Sequence, residues 1–213
     1  MSATRDGGPL RVAVLASGTG TNLQAILDSL HGRGAAEVVA VASDVPDAKA
    51  LKRAREAGVT TGVFERSAYA DRENRDLAMA EWLESAGVEL VVLAGYMQLL
   101  SGSFIGRFEG RIINVHPALL PAFPGLDAIG QAVAHGVRYT GVTVHFVDEG
   151  VDTGPILLQR PVELEYARPV TEIEQDIHAI EHELLPRAIE LIAAGAVSFD
   201  PDNPRLVRIE GGS

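Results

Sequence analysis

The chain has 213 residues, nearly half of them apolar, no cysteine and a formal net charge of -11. Such a length supports one large domain, or two small ones, around a substantial core, and the apolar content excludes a disordered chain. The missing cysteines exclude disulfides, a thiolate nucleophile and thiolate metal sites, and the acidity argues against broad nucleic-acid binding while leaving room for a basic pocket around one phosphate.

The first nine residues, MSATRDGGP, lack the apolar core of a signal peptide and read as a disordered leader. No apolar run approaches the roughly 18 residues of a membrane span, so the expected compartment is the cytoplasm. Residues 10–16, LRVAVLA, read as a buried parallel strand. The glycine-rich turn SGTGTN follows at 17–22, and then a helix with Leu23, Ile26, Leu27 and Leu30 at spacings of three and four. Strand, turn and helix in this order form an anion cradle, in which glycine lets the backbone come close and the first helical amides point at the ligand. Thr21 or Asn22 is the expected N-cap. The lysine of a P-loop and the third glycine of a dinucleotide fingerprint are both missing, so the turn fits one phosphate or a tight connection that needs glycine for its geometry alone.

Further strands are expected at 37–44 and 60–64, with a helix at 48–57 stopped by Gly58. A helix then runs to about Gly87, with Leu77, Ala80 and Leu83 available for one face and Arg72 at its start able to meet a carboxylate ligand. Residues 89–95, ELVVLAG, form the cleanest buried strand. Tyr96, Met97, Gln98, Leu99 and Leu100 follow at its exit as a polarizable, apolar lip that could receive a flat ring or pack into the core. In IINVH at 112–116 the alternation of a strand sends Asn114 and His116 to one face, and Pro117 ends the strand in an extended or turning segment. Sites in open α/β sheets form just outside the carboxyl ends of strands, where this Asn-x-His pair would stand.

A helix at 126–135 and a strand at 140–147 come next; His145 on that strand reads as a site residue or, more simply, as a partly buried strand histidine. The acidic, turn-rich loop 148–155 contains Asp152 and precedes a strand at 156–162. Ile173, Ile177, Ile180 and Leu184 form a helical stripe running to about Ala194, with Glu181 off it, and 196–213 reads as a hairpin and polar tail. The alternation predicts a doubly wound, mostly parallel sheet with helices on both faces, in a single domain over 10–195, with an antiparallel element in the C-terminal third.

ASGTGTNLQAIL, LAGYMQLL, NVHPALLPAFPG and VTVHFVDEGVDTGPILLQ, in this order and spacing, resemble the folate-dependent formyltransferases, and among them the enzymes that formylate glycinamide ribonucleotide in purine synthesis. The resemblance covers nearly the whole chain and implies a Rossmann-like formyltransferase fold. By it, Asn114, His116 and Asp152 are the catalytic residues, and Gly20, Thr21 and Asn22 hold the acceptor's phosphate while Glu181 contacts the same substrate. Met97, Gln98, Leu99 and Leu100 border the folate together with Asn114, and Arg72 faces the folate glutamate. Asn114 and a protonated His116 would stabilise a tetrahedral oxyanion, with Asp152 raising the proton affinity of His116 and helping move protons through water. The expected co-substrate is 10-formyltetrahydrofolate, without a metal or a covalent enzyme intermediate. The expected partners are the two small-molecule substrates, with no nucleic acid and no membrane, and a homodimer is the assembly to look for.

Two positions depart from the pattern. Relatives usually carry Arg where Gln98 stands, and many carry His in place of Asp127. The same residues would serve a formyltetrahydrofolate deformylase, which resembles a longer chain with an N-terminal regulatory domain, or a transfer RNA formyltransferase, which has a C-terminal nucleic-acid-binding domain. A non-catalytic phosphate-binding homologue would explain the glycine turn but not the three polar residues together.

Overall fold

The computed structural model describes residues 8–165 and 168–210. The expected leader lies outside the described residues up to position 7, as does the end of the tail from 211 on. Strands β1 (Leu10–Leu15), β2 (Ala36–Ser43), β3 (Thr60–Val63), β4 (Leu90–Leu93), β5 (Ile112–His116), β6 (Tyr139–Phe146) and β7 (Ile156–Glu163) form one sheet in the order β3-β2-β1-β4-β5-β6-β7. The pairings among the first five strands are parallel, and β6 and β7 add antiparallel strands beyond β5. Helices α1 (Thr21–Leu30), α2 (Lys49–Glu56), α3 (Arg72–Ser85), α4 (Gly102–Arg107), α5 (Ala128–His135) and α6 (Val170–Ala193) complete the layers. The expected hairpin is present as β8 (Val197–Phe199) and β9 (Val207–Ile209). Among the described residues no helix is long and apolar enough to cross a membrane.

Burial on both faces explains why the central strands carry almost continuous apolar runs. Val12 and Val14 of β1 and Leu90 and Val92 of β4 join a core with α1, α2 and α6. Ala13 and Leu15 of the first strand, with Val91 and Leu93 of the other, face a second core containing Met79, Ala80 and Leu83 of α3, Phe104 of α4 and Phe108 at its end.

Four local expectations need correction. The inward arc of α3 runs through Asp76, Met79, Ala80 and Leu83 at three- and four-residue spacing, so Leu77 falls outside it and is exposed. Helix α5 starts at Ala128, two residues late, because the chain from Gly125 to Asp127 turns through positive φ and leaves Leu126 exposed. The short α4 escaped sequence analysis; Ser101 caps it by accepting from the Phe104 amide, and Phe104 anchors it. Glu181, placed off the α6 stripe, is nevertheless only 4% exposed, because α6 is covered on that side by the start of α1.

Candidate active site

The sheet order reverses direction between β1 and β4, and a crevice at the carboxyl ends of such strands is where open α/β folds place ligands. Three segments meet at that end: 17–22 after β1, 96–100 after β4, and Asn114 with His116 at the end of β5.

In the first segment Gly20 is the N-cap of α1, with φ 71° and no side-chain cap, so Thr21 and Asn22 lie in the first turn instead of capping it. The first amides of a helix lack intrahelical acceptors, and here no side chain caps them. Glycine is required at position 20: a Cβ there would stand 2.7 Å from Ala50 Cα. The Asn22 amide group donates to Glu181 Oε2 at 3.0 Å, and His178 Nδ1 lies 3.0 Å from the same oxygen. That contact pushes the His178 proton affinity up, whereas burial pushes that of His182, one turn on, down. Sequence analysis did not single out either histidine.

The second cluster is centred on Asp152. Its Oδ2 lies 3.3 Å from His116 Nδ1 and accepts the Gly125 amide at 2.8 Å. Its Oδ1 accepts from Asn114 Nδ2 at 3.3 Å and lies 3.5 Å from His145 Nε2. Burial alone would push the Asp152 carboxyl up, but the hydrogen bond with His145, the Gly125 amide and the charges of both histidines outweigh it and hold the carboxyl below its usual value. Asp152 itself sits at φ 53° in the left-handed region. Its loop is tightly fixed: Thr153 donates to Asp148 at 2.6 Å, Arg205 holds the Thr153 carbonyl at 2.8 Å, and a Cβ on Gly154 would stand 1.8 Å from the Phe146 carbonyl oxygen.

His145 belongs to this site. It pairs directly across from Asn114 in the antiparallel β5–β6 register, is 2% exposed, and places Nε2 3.2 Å from Asn114 Nδ2. Its Nδ1 faces the Phe146 carbonyl at 2.8 Å and so carries a proton, which leaves Nε2 to meet Asn114 Nδ2 and Asp152 Oδ1. His116 is buried as well, with Nε2 2.8 Å from the Phe123 carbonyl. Its two nitrogens thus face a carboxylate and a carbonyl, both acceptors.

The third segment is the lip. Met97 and Leu99 are 61% and 59% exposed, while Leu100 packs against the second core. Arg66, Tyr69, Arg72, Met97, Gln98 and Leu99 line a cavity of about 580 Å³, to which Arg75 also contributes. Arg72 therefore shares a cavity with the lip. Asp127, the other departure, stands at the N-cap position of α5 with φ 55° and makes no side-chain cap.

The formyl transferase family matches residues 10–189, which include all three segments and Asp152. The chain belongs to that family. A phosphoribosylglycinamide formyltransferase of Bacillus subtilis is 42% identical to this formyl transferase over 181 residues, covering 84% of this chain and 93% of the other. The trifunctional purine biosynthetic protein adenosine-3 of Gallus gallus is 42% identical over 189 residues; the match takes in 88% of this chain but spans only 19% of the chicken protein's length. The crystal structure of glycinamide ribonucleotide transformylase 1 from Symbiobacterium toebii superposes with a TM-score of 0.91 at 47% identity, covering 98% of both chains. The seven-stranded sheet with its two antiparallel strands is thus the sheet of a known formyl transferase architecture.

Proposed function

We propose that this formyl transferase moves the formyl group of 10-formyltetrahydrofolate to the primary amine of glycinamide ribonucleotide, as a cytoplasmic step of purine biosynthesis. The observation that carries the reading is the meeting, at one end of the sheet, of a helix N-terminus suited to one phosphate with the Asn114, His116 and Asp152 cluster. The names of the relatives point the same way.

In this reading the first amides of α1, with Gly20, Thr21 and Asn22, hold the acceptor's phosphate, and Glu181 orients its ribose end. The lip at 97–100, Arg72 and Asn114 receive the folate. The amine attacks the formyl carbon, a C–N bond forms, and the carbonyl electron pair moves onto oxygen. Asn114 and His116 donate to that oxyanion, each donor contributing about 3 to 4 kcal/mol of barrier lowering. Asn114 is already bonded to His145 and Asp152, and His116 to Phe123, so each exchanges one internal contact for the oxyanion. The Asp152 carboxylate orients His116 and takes the amine's proton through water toward the leaving nitrogen, and cleavage of the folate C–N bond completes the transfer.

The test is tetrahydrofolate release from 10-formyltetrahydrofolate, measured with and without glycinamide ribonucleotide, with the formylated product weighed by mass spectrometry. One formyl group gained per folate released, only with the ribonucleotide present, is the expected result. Release without the ribonucleotide would make the protein a deformylase, and no release from folded protein would leave it a member of the family without this activity.

A further inference from the structure

A second buried polar assembly lies outside the Asp152 cluster, and the chemistry above leaves it unused. Arg75 and Asp76 of α3 are 1% and 0% exposed. A buried ion pair is a weak source of stability, because desolvation offsets the attraction and packed apolar residues do as well or better. The pair's remaining bonds give it another purpose. Arg75 Nε and Nη2 both bind Asp76 Oδ1, at 2.8 and 2.6 Å, while Nη1 donates to Gln98 Oε1 and Nη2 to the Leu99 carbonyl, each at 3.3 Å. Asp76 Oδ2 accepts the Ser101 amide at 2.6 Å. The Gln98 side chain donates in turn to Asp44 Oδ2 at 2.9 Å, Asp44 Oδ1 accepts from Ser17 Oγ at 2.5 Å, and Ser17 Oγ accepts the Met97 amide at 2.8 Å.

These links converge on residues 97–101, which form neither helix nor strand. Met97 and Leu99 are more than half exposed, so core packing does not fix where they stand. The amide of Gln98 has a donor on one side and an acceptor on the other, which a single orientation satisfies.

We propose that Arg75 is a positioning residue for the formyl donor: anchored on Asp76, its guanidinium holds Gln98 and the Leu99 carbonyl and so sets the lip against which the donor lies. The inference rests on the assignment of the lip to the folate. Arg75 acts through Gln98 and Leu99, and the planar fork of arginine is what lets one side chain reach three acceptors.

Arg75→Lys keeps a cation beside Asp76 but cannot span all three acceptors. Its melting temperature should stay within a few degrees of the parent, with kcat and the KM for glycinamide ribonucleotide within about twofold. The KM for 10-formyltetrahydrofolate should rise about tenfold, the loss of roughly one hydrogen bond to a charged group, and the Kd for tetrahydrofolate should rise in step. Gln98→Leu leaves the ion pair whole and should move the same two constants in the same direction. Unchanged donor constants in a folded variant overturn the proposal, and so does an equal loss toward both substrates, which a merely structural role would produce. If Arg75→Lys does not fold, the double replacement Arg75→Met with Asp76→Leu, which removes both buried charges together, decides on the same constants. Tetrahydrofolate binding needs no turnover, so a parent protein that binds folate without transferring formyl would refute the activity and still test Arg75.

Discussion

At the scale of the residue, Asp152 has more demands on it than any other side chain of the site: two histidines, an asparagine and a backbone amide all meet its two oxygens. Replacing it by Asn removes the charge opposite His116 while keeping the shape, and His116→Ala removes an oxyanion donor outright. Each should lower kcat by about a hundredfold or more, with acceptor phosphate binding at Gly20 to Asn22 retained. Near-normal turnover in either purified variant would sink the assigned roles. The sign of the acid response follows from the depressed carboxyl. A group held below its unfolded value of about 3.9 stabilises the folded state fully above that pH and loses the contribution as pH falls through its lower folded value. Thermal melts should therefore show a stability gap between parent and Asp152→Asn that narrows in acid below about pH 4; a gap that widened there would contradict the network. Asn114, His116 and Asp152 were legible in the sequence because a short alternating strand and a family motif name them. His145 was not, because its place opposite Asn114 depends on an antiparallel register that no local pattern reveals.

At the scale of the element, α1 is a helix whose start is built for something other than its own capping. Gly20 takes φ 71° against Ala50 of α2, so Gly20→Ala meets both a left-handed backbone penalty and a clash with backbone. The strain costs about 1 to 3 kcal/mol, or roughly 2 to 12 °C of melting temperature in a chain of this size. The shift of the helix start should raise the KM for glycinamide ribonucleotide at least tenfold while the Kd for tetrahydrofolate stays put. An unchanged acceptor KM would show that the turn needs glycine for geometry alone. Element types were readable where periodicity is strong, as in α1 with Leu23, Ile26, Leu27 and Leu30 all buried. The inward face of a helix was harder to read where polar residues are buried, though the helices themselves were expected. In α3 the buried arc begins with Arg75 and Asp76, so a search for apolar stripes turned attention to Leu77 instead, and in α6 the buried face includes Glu181, which the family resemblance named but the apolar stripe did not.

At the scale of the whole molecule, the chain brings the two proposed substrate regions together from distant stretches of sequence. Asn22 of α1 and Glu181 of α6 are 159 residues apart and share one hydrogen bond. The far end of the chain also braces the Asp152 loop through Arg205, and packs Phe199 in a tilted contact against Phe146 of β6, with ring centroids 4.8 Å apart. The parallel half of the sheet could be read from strand and helix alternation, whereas this bracing could not, since it joins segments with no shared pattern. An acceptor seated at the start of α1 touches the α1–α6 contact, and a donor on the lip touches β4 and α3, so the two ligands should protect different amides from hydrogen exchange: 20–30 and 175–185 for the first, 96–101 for the second. By linkage, however, either ligand at a hundred times its Kd adds about 2.7 kcal/mol, or roughly 5 to 11 °C at this chain length. The Gly20→Ala variant separates the two effects. It should lose the melting shift given by a fixed concentration of glycinamide ribonucleotide and keep the shift given by tetrahydrofolate. If both shifts disappear together, the two regions are one cooperative site, and acceptor and donor binding cannot be assigned to separate ends of the crevice.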